Sequence, residues 1–241
     1  MKKLYLADVI EKYYLGGLVE KVKINIKDKT LSTCFIATNR NLVGTLVAPD
    51  IELEDCNFGI YDTSQLLKII NITDHLITLN IEKQESITSK LIIADNEYNL
   101  EYTLADSILT PAIPKFDEPE YEMEADIDKE FIGKFVKAKK ALDTTIFTIE
   151  SSQDTLGNNT LLFILGGTEG YTNKISFYIP STKSALLTTP VKFPLNEFNE
   201  ILSANKDLEY GRLFVNKQGV LKIEFENEEK VKTSYVLIGK E

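Results

Sequence analysis

A single histidine, two cysteines and no apolar run near the roughly 18 residues that a membrane span needs leave little room for several kinds of chemistry. His75 has no second histidine and no cysteine pair to join it, so a zinc site cannot be assembled. No serine sits in a Gly-x-Ser-x-Gly turn, which removes the usual nucleophile elbow. Gly166-Gly167-Thr168-Glu169-Gly170 has the glycines of a phosphate loop, but no Gly-Lys-Ser/Thr follows and strand patterns flank it, so it reads as a turn. No catalytic residue, metal or other cofactor is therefore expected. Cys34 and Cys56 stand apart among strand-like residues, which predicts two buried reduced thiols. The opening Met1-Lys2-Lys3-Leu4-Tyr5-Leu6-Ala7-Asp8 meets an acid before an apolar signal core can develop, so no membrane association and a cytoplasmic location are expected.

What is present is ordinary globular composition: 43% hydrophobic and 27% charged residues, with only 12 glycines and 7 prolines. A length of 241 residues fits two domains better than one small core. The net charge of -10 argues against a protein that coats nucleic acid with its whole surface. It still permits a protein whose positive charges are segregated onto one surface.

Apolar and polar residues alternate with period two in segment after segment, the mark of antiparallel sheet with one wet face. Val22, Ile24 and Ile26 do so, as do Tyr98, Leu100, Tyr102 and Leu104, then Ile175, Phe177 and Ile179. Four segments have helical spacing instead. The first runs from about Lys3 to Tyr14, with Leu6, Val9, Ile10 and Tyr13 on one face. The others follow Asp62, Asp128 and Asn196, each an N-cap candidate preceded by an apolar residue, with Leu66 and Ile132 placed to complete hydrophobic staples in the first two. These caps lie 66 and 68 residues apart, so the chain reads as four copies of a helix-plus-strands unit whose first copy has lost its lead-in strand. Between the second and third copies, Ile108 to Pro119 carries three prolines and no alternation, as an extended linker does.

Charge is distributed unevenly along this frame. From Asp117 to Glu130 there are eight carboxylates, but Glu120, Glu122, Glu124 and Asp126 alternate with Tyr121, Met123, Ala125 and Ile127, the pattern of a strand's wet face rather than of a metal or acid-base site. Between Asp128 and Leu142 five lysines face two acids, a local charge of +3. There the spacing sets Phe131, Phe135, Ala138 and Leu142 on one stripe and Lys129, Lys134, Lys137 and Lys140 across the other side. Taken alone, such a lysine face is an ordinary solvated surface.

Phe58-Gly59-Ile60-Tyr61-Asp62 leading into Leu66-Leu67-Lys68-Ile69-Ile70, then Leu91-Ile92-Ile93-Ala94-Asp95, the proline linker, and the segment Phe131 to Leu142 together resemble the DNA sliding clamps of tailed phages and, more distantly, cellular clamps. The resemblance implies an α+β sliding-clamp fold of two similar domains, each with two helices packed on antiparallel sheets. Its boundaries would be 1–107 and 121–241, joined by a connector at 108–120. It further implies a non-catalytic homotrimeric ring around double-stranded DNA, held without sequence specificity, opened by a clamp-loader ATPase and tethering the replicative DNA polymerase in an infected bacterial host.

On that resemblance the helix lysines Lys129, Lys134, Lys137 and Lys140 face DNA, with Lys12, Lys68 and Lys206 as weaker candidates. The strands bearing Tyr98, Leu100, Tyr102 and Leu104, and Ile175, Phe177 and Ile179, correspond to the subunit edges. A partner-peptide pocket is expected from Leu42, Val43, Leu46, Ile108, Leu109, Pro111, Ile113, Val236 and Ile238. The competing class is a β-rich phage structural or assembly protein, which would have no reason to concentrate lysines on regularly spaced helices.

Overall fold

The regular spacing of caps and alternating runs is realised as two units with the same chain order. A computed structural model of the chain describes residues 1–85, 87–105, 118–167, 173–183 and 187–240. One unit comprises Met1–Pro114 with Glu229–Thr233, the other Lys115–Glu228 with Ser234–Glu241.

In the first unit, helix α1 (Lys3–Tyr14) precedes strands β1 (Val22–Lys27), β2 (Thr30–Ile36), β3 (Leu42–Ala48) and β4 (Cys56–Ile60). Helix α2 (Thr63–Asn71) then leads to β5 (Thr78–Gln84), β6 (Ile87–Ala94) and β7 (Asn99–Thr103). The strands pair antiparallel in the orders β4-β1-β2-β3 and β5-β6-β7. The lead-in strand, expected to be missing from the first copy, is present only as a single bridge from Lys2 to Leu76. Leu6, Val9, Ile10 and Tyr13 of α1 are buried with Leu66 and Ile70 of α2 and with Val22, Ile24 and Ile26. Lys3 reaches across and donates from Nζ to the carbonyls of Asn71 and Thr73, at the end of α2 where unpaired carbonyls accumulate. Cys34 and Cys56 are unpaired thiols, the first half-buried and the second buried.

In the second unit, β8 (Met123–Ile127), α3 (Lys129–Ala141), β9 (Ile146–Gln153), β10 (Asn159–Gly166), β11 (Lys174–Pro180) and β12 (Val191–Pro194) are followed by α4 (Leu195–Ala204). The chain closes with β13 (Leu208–Val215), β14 (Val220–Asn227) and β15 (Lys232–Ile238), whose residues from Ser234 onward belong to this unit. One sheet runs β12-β9-β10-β11, the same order as its counterpart in the first unit, and the other β8-β13-β14-β15. The core is an aromatic cluster centred on Phe135, whose ring centroid lies 4.7 Å from Phe198 and 5.2 Å from Phe147.

Two of the three predicted caps form. Asp62 accepts from the Gln65 amide at 2.8 Å and Asp128 from the Phe131 amide at 2.7 Å. Tyr61 is partly exposed and stacks on Tyr102, while Ile127 and Ile132 are both buried. Asn196 does not cap. Helix α4 begins two residues earlier than a cap at Asn196 would place it, at Leu195, because Pro194, with φ of -69°, already occupies the capping position and has no side-chain acceptor. Replacing Asp128 by Ala should therefore cost about 1 kcal/mol in urea unfolding, whereas Asn196→Ala should change stability by less than about 0.5 kcal/mol. Equal losses for the two would refute this difference in capping.

Candidate nucleic-acid interface

The lysine face of α3 is produced by the same constraints that bury its other side. Asp128 fixes the first turn, and Phe131, Ile132, Phe135 and Ala138 are drawn into the core. Lys129, Lys134, Lys137 and Lys140 are left exposed, with Lys139 half-buried. The helix itself carries five lysines and one glutamate. Lys134 donates to Glu130 across one turn, 2.7 Å away, and this carboxylate holds its ammonium above the usual lysine range. No ion-pair partner is seen among the described residues for Lys129, Lys137 or Lys140. Leu142 is the residue after the helix, in extended conformation with φ of -130°, so the apolar stripe ends at Ala138 instead of running through Leu142.

Gly133 lies on this exposed side, and a Cβ placed there would meet nothing within 4 Å. Glycine inside a helix costs roughly 0.5–1 kcal/mol relative to alanine. Neither backbone conformation nor packing asks for it at this position.

The other expected DNA-facing lysines fare differently. Lys12 is a correction: only 2% exposed, with Nζ 3.0 Å from Asp8, it lies in the first unit's interior and presents no ammonium to solvent. Spacing of i to i+4 from Asp8 was the available sign of that pairing. Lys68 is exposed on α2, and Lys206 is exposed just past the end of α4. Helix α4 carries Glu197 and Glu200 and no lysine, and α1 balances Lys3 and Lys12 against Asp8 and Glu11. Exposed positive charge on the helices is thus concentrated on α3.

Strands β7 and β11 are terminal in their sheets, each with a partner on one side only among the described residues. Their expected interface side chains are mostly turned inward: Tyr102, Leu104 and Ile179 are buried, and Leu100, Ile175 and Phe177 half-buried. Tyr102 is held by its hydroxyl, which donates to the Asp62 carbonyl at 2.9 Å. Tyr98 remains exposed, and the outward positions of β11 are Lys174, Ser176 and Tyr178, the last 59% exposed. What these edges offer a neighbour is backbone and these outward chains, because period-two geometry has already committed the apolar set to the core.

The expected pocket residues need a similar correction. Leu42 and Leu46 are completely buried on β3 and cannot line a surface. Val43 and Val236 are half-buried and Ile238 is exposed. Ile108, Leu109, Pro111 and Ile113 lie outside the described residues. The acid-rich strand is a wet face as expected, with Met123, Ala125 and Ile127 buried behind it. Its carboxylates are paired in ways the sequence did not announce: Glu122 with Lys217 at 3.3 Å, Glu124 with Arg212 at 3.3 Å, and Glu118 with Lys222. Among the described residues no group of His, Cys, Asp and Glu is arranged to hold a metal ion, and no helix is long and apolar enough to cross a membrane.

No family model matches the sequence, and no curated protein matches it. Solved structures do, over the entire chain. A structure of A. fulgidus PCNA bound to the C-terminal region of FEN-1 superposes with a TM-score of 0.79 at 14% identity, covering 100% of this chain and 97% of that one. This chain has the sliding-clamp fold. Entamoeba histolytica PCNA gives a TM-score of 0.77 at 15% identity and the PCNA2–PCNA3 complex of Sulfolobus tokodaii 0.76 at 10%, with the same coverage. The four helices of the clamp fold are α1 to α4, and the lysine face described above belongs to the first helix of its second unit.

Proposed function

We propose that this chain is a ring-forming DNA sliding clamp of the tailed-phage type, acting in the cytoplasm of an infected bacterial host. It encircles duplex DNA and tethers the replicative polymerase by topology rather than by tight binding, after an ATP-driven loader opens the ring. Concentration of exposed lysines on one helix of a clamp fold, in a chain of net charge -10, is the observation that supports it. Flexible ammonium groups attract phosphate without fixing a sequence register, which suits a protein that must slide.

Three copies would close the ring by pairing the open edge of β7 on one copy with that of β11 on the next. Partners would be engaged through short segments, as A. fulgidus PCNA engages the C-terminal region of FEN-1. Of the expected pocket residues, Val43 keeps some exposure on the first unit, and Val236 and Ile238 keep some on the second.

Negative-stain images of the purified protein should show rings with a central hole. Light scattering should give three times the chain mass of 27.2 kDa at micromolar concentration. Monomers alone, persisting after chemical crosslinking, would remove the ring from consideration.

A further inference from the structure

Lys23 and Lys27 of β1, with Lys21 just before it, stand on the solvent side of the β4-β1-β2-β3 sheet, while Val22, Ile24 and Ile26 fill the core on the other. All three lysines are exposed, and none has an ion-pair partner among the described residues. Cross-strand neighbours do not neutralise them: Lys23 lies between Cys34 of β2 and Gly59 of β4, and Lys27 beside Thr30. At a rise of about 3.4 Å per residue the row is about 20 Å long, with gaps of about 7 and 14 Å.

Nothing in the fold asks for this row. Lysine is disfavoured inside strands, and its usual service there, guarding an open edge, does not apply because β1 is paired on both sides. Strand β9 holds the equivalent place in the β12-β9-β10-β11 sheet, and the residues it sets on the side away from Phe147 and Ile149 are Thr148, Glu150 and Ser152, with no lysine.

We infer that the solvent face of β1 and β2 is a docking surface for an acidic, extended segment of a partner protein, whose carboxylates pair with Lys21, Lys23 and Lys27. The occupant is argued from charge complementarity: three ammonium groups in line, without a counter-charge, on a chain of net charge -10. Alternate side chains of an extended segment share the spacing of the row. A polypeptide fits better than nucleic acid, because the row is one strand wide and β2 flanks it with Cys34 and Ile36, half-buried on the same face, an apolar shoulder suited to side chains and not to phosphates. The surface belongs to the first unit's sheet and depends neither on the ring nor on α3.

The probe is a fluorescent dodecapeptide with glutamate at alternate positions and leucine at two of the others, titrated by anisotropy at low salt. It should bind the parent protein with a Kd below about 1 mM. Lys21→Glu, Lys23→Glu and Lys27→Glu combined should weaken binding by at least about tenfold, because three screened attractions become repulsions. The same peptide with glutamine for glutamate should bind the parent as weakly, and reversal of Lys134, Lys137 and Lys140 should leave peptide binding unchanged. Circular dichroism and the thermal midpoint report folding. If the reversed protein unfolds, Lys→Thr at the three positions, which strands favour, takes its place and should weaken binding several-fold.

No saturation by the parent, equal binding of the two peptides, or a folded β1 variant that binds as the parent does refutes the surface. An equal loss from the α3 reversal refutes it too. A β1 variant that keeps the peptide and loses a short duplex would make the row a nucleic-acid contact and overturn the inference.

Discussion

A protein with Lys134, Lys137 and Lys140 all changed to Glu should fold and assemble normally and fail to support processive DNA synthesis. Three reversals of two charge units each alter six units per copy, on the exposed side of α3 and away from Phe131, Phe135 and Ala138. The new acids at 134 and 130 sit one turn apart and repel, a modest cost on a solvated surface. Single changes to Ala should be nearly silent, because exposed charges act through screened water and only their sum matters. Product length in a primer-extension assay with clamp loader and polymerase is the measurement, and the defect should be greatest at low salt where screening is weakest. Long products from the triple variant at every salt concentration would mean that α3 does not face DNA.

Loss of the Phe135 ring should have the largest effect on stability. Phe135 is completely buried and makes ring contacts with Phe131, Phe147, Phe163, Phe177 and Phe198. Its replacement by Ala should cost about 3–5 kcal/mol, from lost transfer energy and the cavity left among rings too crowded to collapse into it. Helices α3 and α4 are joined through the Phe135 and Phe198 rings, so the lysine face should lose definition as well. A midpoint shift in urea no larger than that of Asp128→Ala would show that the cluster repacks freely.

Local rules carried well where one residue's geometry decides the outcome. The first helix ends where its periodicity does, and Asp62 and Asp128 cap because a short side-chain acceptor just before the first turn meets an amide that has no intrahelical partner. At Asn196 the neighbouring Pro194 took over the capping position, a competition between two local preferences that spacing alone did not resolve. Tertiary placement was harder to see. Leu42 and Leu46 lie in the core rather than in the expected pocket, as strand alternation points them inward, and Lys12 is buried beside the apolar stripe of α1 rather than facing solvent. Inter-strand partners of the acidic strand, such as Arg212 and Lys217, are some ninety positions away in sequence, and no local pattern points to them. Lys129, Lys134, Lys137 and Lys140 were legible because one periodicity fixes both sides of a helix. The bare backbone at Gly133 was not, since a sequence does not show whether a missing side chain leaves open space.

Strands β7 and β11, each terminal in its sheet among the described residues, have different sequences and sit in different halves of the chain. An association that joins one to the other is heterologous: each copy follows the last by the same rotation, and no twofold axis relates neighbours. Such an assembly is polar. All of its copies would point the same way around, one face would present surfaces the opposite face lacks, and in the proposed ring a partner that recognises only one face would meet the encircled duplex from a single direction.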